Sequence, residues 1–168
     1  MRMTNEPLWL SVARAFVGVT EIPGAASNPA ILRWGKDIHA PAFTNDDTAW
    51  CAVWMNRLCM ACQLPMAGTG YDLLRAKSFM TWGQGMALPA LGCVLVFQRP
   101  EGSHVGLYVG ERADAYYVLG GNQLNAVSYS WIKKARLKAT RWPVGHTLPA
   151  PQPVLLANNG ELVSRNEA

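Results

Sequence analysis

The sequence predicts an α+β domain in which helices from the first half of the chain pack on an antiparallel sheet formed by the second half. In the first half, apolar residues recur at helical spacing, as Cys51, Met55 and Leu58 do. From Leu91 onward the chain consists instead of short β-rich runs separated by Gly and Pro. A chain of 168 residues, half of them hydrophobic, can bury one substantial core, so we expect a single domain.

Four helical segments are expected before the strands. The first covers residues 7–17 and is amphipathic. The second opens with Asn28 as the N-cap and Pro29 at the first helical position. The third lies within residues 45–62, NDDTAWCAVWMNRLCMAC, and the fourth is a short helix over residues 71–77.

Five runs in the second half are typical of strands, and they predict an antiparallel sheet of about five to six strands. They cover residues 92–97, 104–109, 115–119, 126–129 and 137–142. The domain is therefore expected to span residues 1–145. Residues 146–168 are rich in Pro, Asn and polar side chains, and they predict a poorly ordered tail.

Cys51 stands out in the third helical segment. Asp46, Asp47 and Thr48 precede it, and such residues favour a helix start because their side-chain oxygens accept orphan backbone N–H groups. Cys51 then falls in the first turn, where the positive end of the helix dipole favours a thiolate. It also shares the apolar face that packs inward. The residues alone leave two interpretations open, a nucleophile or a small core residue.

A cysteine nucleophile needs an imidazole to exchange protons with it and a polar group to orient that imidazole. Of the three histidines, His39 lies in a Pro-flanked loop and His146 in the tail, whereas His104 begins a strand. Asn122 follows the next strand. If the two strands are antiparallel neighbours, Cys51, His104 and Asn122 converge at one end of the sheet.

Other features favour structural roles. Cys59 and Cys62 form a C-x-x-C, but no second pair at zinc-ligand spacing exists and both lie on the apolar helix face, so core packing is favoured and no metal is expected. The net charge of +4 favours an anionic partner or surface. The basic residues near the end, 133–141, carry no nucleic-acid motif, and we interpret them as a solvated face.

No apolar run reaches the roughly 18 residues that a membrane-spanning helix needs. The N-terminus, MRMTNEPLWLSVARAF, lacks the apolar block of a signal peptide. We therefore expect synthesis in the cytoplasm without a signal peptide, so that action outside the cell requires another export route.

Four segments, WCAVWMN, GCVLVFQR, HVGLYVG and VLGGNQLNAV, resemble the NlpC/P60 and CHAP superfamily of papain-like cell-wall cysteine peptidases. The N-terminal segment PLWLSVARAFVGVTEIPG is similar to a bacterial and phage subgroup, and the likeness covers residues 7–143 in the expected order. The resemblance implies the papain-like fold, with Cys51 as the nucleophile and His104 as the general base and acid. It implies no metal and no cofactor.

The third position of the triad is the least defined. Many CHAP members have a Glu two residues before an Asn at the strand end, and Gly120 occupies the place of that Glu here. Asn122 is therefore predicted to orient His104, with Gln123 as the alternative. The side chains expected beside the substrate are Trp50, Asp47, Tyr71 and Trp82.

The resemblance implies a peptidoglycan hydrolase that cuts an amide in the stem peptide or the bond joining it to N-acetylmuramic acid. Peptidoglycan or a muropeptide would be its partner. The protein would be a phage lysin or a delivered antibacterial effector, acting on the wall after lysis or delivery, together with secretion machinery or an immunity protein. The alternatives are a papain-like amidase or acyltransferase on a non-wall substrate, and a catalytically inactive wall-binding module.

Overall fold

Three α-helices precede the sheet in the computed structural model, which describes residues 6–162. They are α1 (Leu8–Arg14), α2 (Pro29–Asp37) and α3 (Cys51–Ala61). The predicted start of α2 is confirmed, because the Asn28 side chain accepts a hydrogen bond from the Ala30 N–H at 2.9 Å and Pro29 is the first helical residue. No helix within residues 6–162 is long and apolar enough to cross a membrane.

The start of α3 differs from the prediction in its capping. The N-cap is Trp50, and no side chain caps the helix. The Asn45 carboxamide oxygen instead closes a turn by accepting from the Thr48 backbone N–H at 3.1 Å. Asp46 is buried and accepts from the backbone N–H groups of Ile22 and Asn28, at 3.2 and 2.7 Å. Asn45 and Asp46 therefore form hydrogen bonds within the loops before α3 and do not cap the helix.

Six strands form one antiparallel sheet in the order β1-β6-β2-β3-β4-β5. Their bounds are β1 Gln84–Gly85, β2 Val94–Gln98, β3 Ser103–Glu111, β4 Ala115–Gln123, β5 Ala126–Lys133 and β6 Leu137–Trp142. The predicted α+β fold, with an open antiparallel sheet, is confirmed. The expected helix over residues 71–77 is instead a pair of 3-10 helices, Gly70–Leu74 and Ala76–Met80.

Helix α3 packs across β3 and β4, and this contact positions the candidate site. Its side chains Trp54, Met55 and Leu58 are buried in the core that the helices and the sheet share. The contact is close because Gly121 on β4 has no side chain. A Cβ atom at Gly121 would lie 2.9 Å from both the Trp50 ring and the Trp54 Cβ.

Part of the segment expected to be a poorly ordered tail packs against the sheet. Leu155 forms a parallel bridge with Glu111, and the Leu156 side chain is only 6% exposed. Gly110 makes room for it, since a Cβ there would overlap the Leu156 side chain. The apolar side chain of Leu156 thus anchors a segment that its polar composition marked as disordered. The end of the predicted tail, residues 163–168, lies outside the described residues.

Candidate active site

Cys51 is the first residue of α3, and its side chain points toward the sheet. The backbone N–H of Val105, on β3, faces the sulfur and lowers the pKa of the thiol. The Cys51 backbone N–H belongs to the first helical turn, where N–H groups have no intrahelical partner. The side chain is only 3% exposed. The start of α3 therefore places the thiol beside Val105 of β3, and Val105 is the residue that follows His104.

His104 lies near the start of β3 and is hydrogen-bonded through both ring nitrogens. The Nε2 atom lies 2.9 Å from Gln123 Oε1, and the Nδ1 atom lies 2.8 Å from an Arg99 guanidinium nitrogen. A guanidinium can only donate, so Nδ1 accepts and the ring proton resides on Nε2, from which it donates to Gln123. Both neighbours thus favour the same neutral tautomer.

Gln123 is itself held on both sides of its amide. Its Nε2 group donates to the Val118 carbonyl at 3.1 Å and to the Ser128 carbonyl at 2.6 Å. These two bonds assign the amide orientation, which leaves Oε1 as the acceptor for His104. Gln123 is therefore a rigid acceptor for the imidazole N–H.

Asn122, the residue first expected to contact His104, lies on the other side of the strand. Oriented by its partners, its amide donates to Glu21 Oε1 at 3.0 Å and accepts from the Trp50 backbone N–H at 3.3 Å. Glu21 also accepts from the Trp50 indole N–H at 2.7 Å. Asn122 thus links the β4–β5 turn to the start of α3, and the hydrogen bond assigned to it from the sequence is made by Gln123.

A β-bulge in β4 explains why Gln123, rather than Asn122, contacts His104. The pairing of β4 with β5 is regular up to Gly120 opposite Ser128, and it shifts before Gln123 pairs with Ala126. Asn122 has a φ of 55°, in the left-handed region that Asn tolerates better than most residues. Strict alternation of side chains along β4 would place Asn122 on the His104 face. One bulged residue reverses that alternation and turns Gln123 to the His104 face.

Gly120 provides the space in which His104 and Gln123 meet. A Cβ atom at this position would lie 2.9 Å from Gln123 Oε1 and 3.2 Å from His104 Nε2. A larger residue would have to push these two atoms apart. Gly120 stands where many CHAP sequences have a Glu. The side chain of Gln123 reaches the imidazole in its place.

Arg99 is the feature of the site that the sequence did not indicate. It follows β2 and lies in the turn leading into β3, where its backbone N–H donates to the Gly102 carbonyl at 3.0 Å. No hydrogen bond joins the Cys51 sulfur to the imidazole among the described residues, because both ring nitrogens have other partners. The sequence signal that could have indicated Arg99 is the β2–β3 hairpin. It pairs Phe97 with His104 and so brings residue 99 near the imidazole.

Burial sets the protonation of both groups. Desolvation raises the pKa of the Cys51 thiol, and the Val105 N–H and the Arg99 charge oppose it only in part. Burial, with the nearby charges of Arg99 and Arg136, lowers the pKa of His104 to about 4 although the Gln123 hydrogen bond raises it. The thiolate expected from the helix dipole is thus disfavoured, and the pair rests as a thiol and a neutral imidazole.

The lowered pKa of His104 predicts a loss of stability in mild acid. In the unfolded chain the imidazole takes a proton below about pH 6.5, but in the folded protein only below about pH 4. The unfolded state thus binds more protons in this window, and the free energy of unfolding should fall by up to roughly 3 kcal/mol as the pH drops through it. Urea denaturation at pH 7 and pH 4.5 measures this difference.

His104→Gln should remove most of that pH dependence, whereas His39→Asn, at an exposed position with positive φ, should retain it. Burial raises the pKa of Asp46, but hydrogen bonds from the backbone N–H groups of Asn28 and Ile22 outweigh it and lower the pKa, so Asp46 reduces stability mainly as the pH falls below about 4. Equal pH dependence in wild type and His104→Gln would contradict the assignment to His104.

The four side chains expected beside a substrate fall into two groups. Trp50 and Trp82 are buried, and the Trp82 indole N–H donates to the Pro65 carbonyl at 2.7 Å. Neither therefore forms the wall of an open groove. Asp47 is exposed, and Tyr71 is 71% exposed. These two remain free to meet a ligand.

The remaining cysteines lie away from the imidazole. Cys59 and Cys93 are buried free thiols, and burial raises the pKa of each to about 12. Cys62 is partly buried, and burial raises its pKa as well. Within residues 6–162, no three His, Cys, Asp or Glu side chains cluster as metal ligands would. Cys51 is thus the thiol that meets β3 at Val105, the residue next to His104.

A cleft of about 660 Å³ lies elsewhere, between α2 and the loop that follows it. Its lining includes Lys36, His39 and Phe43 but neither Cys51 nor His104. His104 is only 1% exposed, so substrate access to the Cys51 site requires side chains to move.

Cys51, His104 and Gln123 together form a thiol, an imidazole and an amide acceptor at one end of the sheet. No protein-family model matches the chain, and no curated protein matches it. Function is therefore inferred from the geometry of these groups.

Proposed function

We propose that this protein is a papain-like cysteine hydrolase that cleaves an amide bond in or next to the stem peptide of peptidoglycan. The observation that supports this most directly is the hydrogen bond between His104 and Gln123 beside a helix that begins at Cys51. A thiol at a helix start, an imidazole and an amide acceptor are the three parts that thiol hydrolysis needs.

In the first half-reaction, His104 Nδ1 removes the proton from the Cys51 thiol, and the sulfur attacks the carbonyl carbon of the amide. Gln123 accepts from Nε2–H and stabilises the imidazolium that forms. The C–N bond then breaks, and the imidazolium gives its proton to the leaving amine. The products are a free amine and a thioester on Cys51.

In the second half-reaction, His104 takes a proton from water, and the resulting hydroxide attacks the thioester. The C–S bond breaks and the thiolate of Cys51 recovers its proton from His104. The sum of both halves is the addition of one water to one amide, giving a carboxylic acid and an amine. No further reactant is needed.

The backbone N–H of Cys51 supplies a natural donor for the oxyanion of each tetrahedral intermediate. It lies at the positive end of α3, where N–H groups lack intrahelical partners. The N-terminal turn is held in place from the side by Asn122, which accepts from the Trp50 N–H. Asn122 is thus a positioning residue for the helix start rather than for the imidazole.

Two observations support a cell-wall substrate. One is the resemblance of the segments around Cys51, His104 and Gln123 to cell-wall peptidases. The other is the net charge of +4, which favours anionic polymers. In this proposal the protein acts on the wall as a phage lysin or as a delivered effector, with secretion machinery or an immunity protein as further partners.

Digestion of purified sacculi tests the proposal. The protein should release or alter muropeptides, each new species gaining one water and one new amine end, and mass spectrometry locates the opened bond. If sacculi of both Gram-negative and Gram-positive composition yield no new species, the wall substrate is wrong. Co-sedimentation without cleavage would instead favour an inactive wall-binding module, and cleavage of unrelated amides alone would favour a non-wall amidase.

A further inference from the structure

Arg99 is hydrogen-bonded to His104 Nδ1, the nitrogen that must be free in the proposed reaction. Its guanidinium nitrogen lies 2.8 Å from Nδ1, the ring nitrogen that must take the thiol proton, while Nε2 is held by Gln123. Cys51 and His104 are also almost completely buried. In this conformation the thiol cannot transfer its proton to the ring, so a step that moves Arg99 must precede the chemistry.

Arg99 is a cation without an acidic partner. Within residues 6–162 neither Arg99 nor Arg136 forms an ion pair, although six other basic side chains do. Glu101, the nearest acid along the chain, is exposed. Arg136 is held by the Gln98 carbonyl at 2.9 Å, and the charges of both guanidinium groups act on His104. Arg99 contacts the imidazole directly and the Arg136 charge acts on it, so these two half-buried cations favour an anion near His104.

The backbone under Arg99 is fixed, so its side chain can move alone. Arg99 N–H donates to the Gly102 carbonyl, and Gln98 Nε2 donates to the carbonyls of both residues, at 2.9 and 3.1 Å. Gly102 has a φ of 82°, which suits this tight turn. The guanidinium can therefore exchange its neutral acceptor on His104 for a charged one without rebuilding the hairpin.

We propose that Arg99 recognises a carboxylate on the substrate, on the amine side of the bond that is cut, and that this contact releases His104 for Cys51. The inference rests on the proposed function and names its substrate class: an amide whose leaving amino acid carries a free carboxylate. The amine side is assigned because His104 protonates the leaving amine, and Arg99 contacts His104.

The exchange is favourable because a carboxylate accepts two parallel hydrogen bonds from a guanidinium, and such charge-assisted bonds are stronger than a bond to a neutral nitrogen. Once Arg99 turns to the carboxylate, Nδ1 is free and a positive charge no longer abuts the ring. Both changes make His104 a better base for the Cys51 proton, although the thiol also loses the Arg99 charge that lowers its pKa. A substrate without the carboxylate would leave Arg99 on His104 and the site at rest.

Alkylation of Cys51 by two small reagents tests this without any wall substrate. Iodoacetate carries a carboxylate and iodoacetamide does not, and both transfer a carbon to sulfur with loss of iodide. The rate at Cys51 is followed by peptide mapping at pH 7. We expect the iodoacetate-to-iodoacetamide rate ratio to fall by about tenfold in Arg99→Gln relative to wild type.

The same variant should react several-fold faster with iodoacetamide, because Nδ1 is freed. A structural role for Arg99 would change both rates together and leave the ratio constant, which would overturn the proposal. Arg99→Lys keeps a cation and should retain part of the preference, so it tests the charge if Arg99→Gln is poorly folded. Arg33→Gln is the matched control, since that side chain is 74% exposed, and its ratio should equal that of wild type.

A second measurement separates this inference from the wall substrate. Sacculi whose carboxylates have been converted to amides with carbodiimide and ammonia should be digested at least tenfold more slowly than untreated sacculi, and Arg99→Gln should lose this discrimination. Equal digestion of both by wild type would overturn the role of Arg99. If neither is digested but the alkylation preference remains, the wall substrate fails and carboxylate recognition at Cys51 stands.

Discussion

Cys51→Ala is expected to lower the rate of muropeptide release by about 10⁴-fold or more, to the background of the assay. The nucleophile forms the bond to the substrate carbonyl, so no neighbouring group can replace it. The change removes one buried sulfur from the first turn of α3 and leaves the helix backbone as it is. Mass spectrometry of digested sacculi, with a thermal unfolding curve for each variant, measures both activity and folding.

Cys62→Ala is the matched control. Cys62 lies at the other end of α3, is partly buried and has no imidazole beside it, so the rate should stay within about twofold of wild type. Binding of Cys51→Ala to sacculi should persist, because substrate contacts do not depend on the sulfur. If Cys51→Ala released muropeptides at the wild-type rate, a nucleophilic role for this residue would be refuted.

Gln123→Leu is expected to lower the rate by roughly 10² to 10⁴-fold, because the imidazole loses the acceptor that fixes its tautomer and stabilises its cation. The free energy of unfolding should also fall, by roughly 2 to 4 kcal/mol. Three groups lose their partner, namely the buried His104 Nε2–H and Val118 carbonyl and the partly buried Ser128 carbonyl. Steady-state rates and urea denaturation measure the two effects separately.

Gln123→Glu separates catalysis from stability. It keeps an acceptor for the His104 N–H but loses the donors to both carbonyls, so we expect it to recover part of the rate while remaining destabilised. The carboxylate should also raise the pKa of His104, which moves the acid limb of the pH–rate profile upward. If Gln123 had only a structural role, Gln123→Glu would leave the acid limb of the pH–rate profile unchanged.

Asn122→Gly is the comparison that decides between the two neighbouring amides. Gly adopts the φ of 55° without strain, and the change removes only the contacts to Glu21 and the Trp50 N–H. The rate should fall less than tenfold, since α3 keeps its packing on the sheet. A larger loss in Asn122→Gly than in Gln123→Leu would return the orienting role to Asn122.

Patterns of sequence were enough to predict the elements of the fold. Helical spacing around Met55 and Leu58, the Asn28-Pro29 start and the alternating run after His104 each reflect local preferences, which the backbone follows wherever no tertiary contact opposes them. The same preferences placed Cys51 in the first turn of its helix and His104 at the beginning of a strand. Elements without strong periodicity, such as residues 70–80, were predicted less well.

Three properties of the site were decided only by tertiary structure. A bulge in β4, stabilised by a left-handed Asn122, selects Gln123 rather than its neighbour, and alternation along a single strand carries no information about such an insertion. Arg99 reaches His104 because a hairpin turns between them. Burial reverses the effect of the helix dipole on the Cys51 thiol, because desolvation depends on everything packed around it. The sequence therefore indicated the candidate reactive residues Cys51 and His104, whereas their hydrogen-bond partners and protonation depend on the tertiary structure.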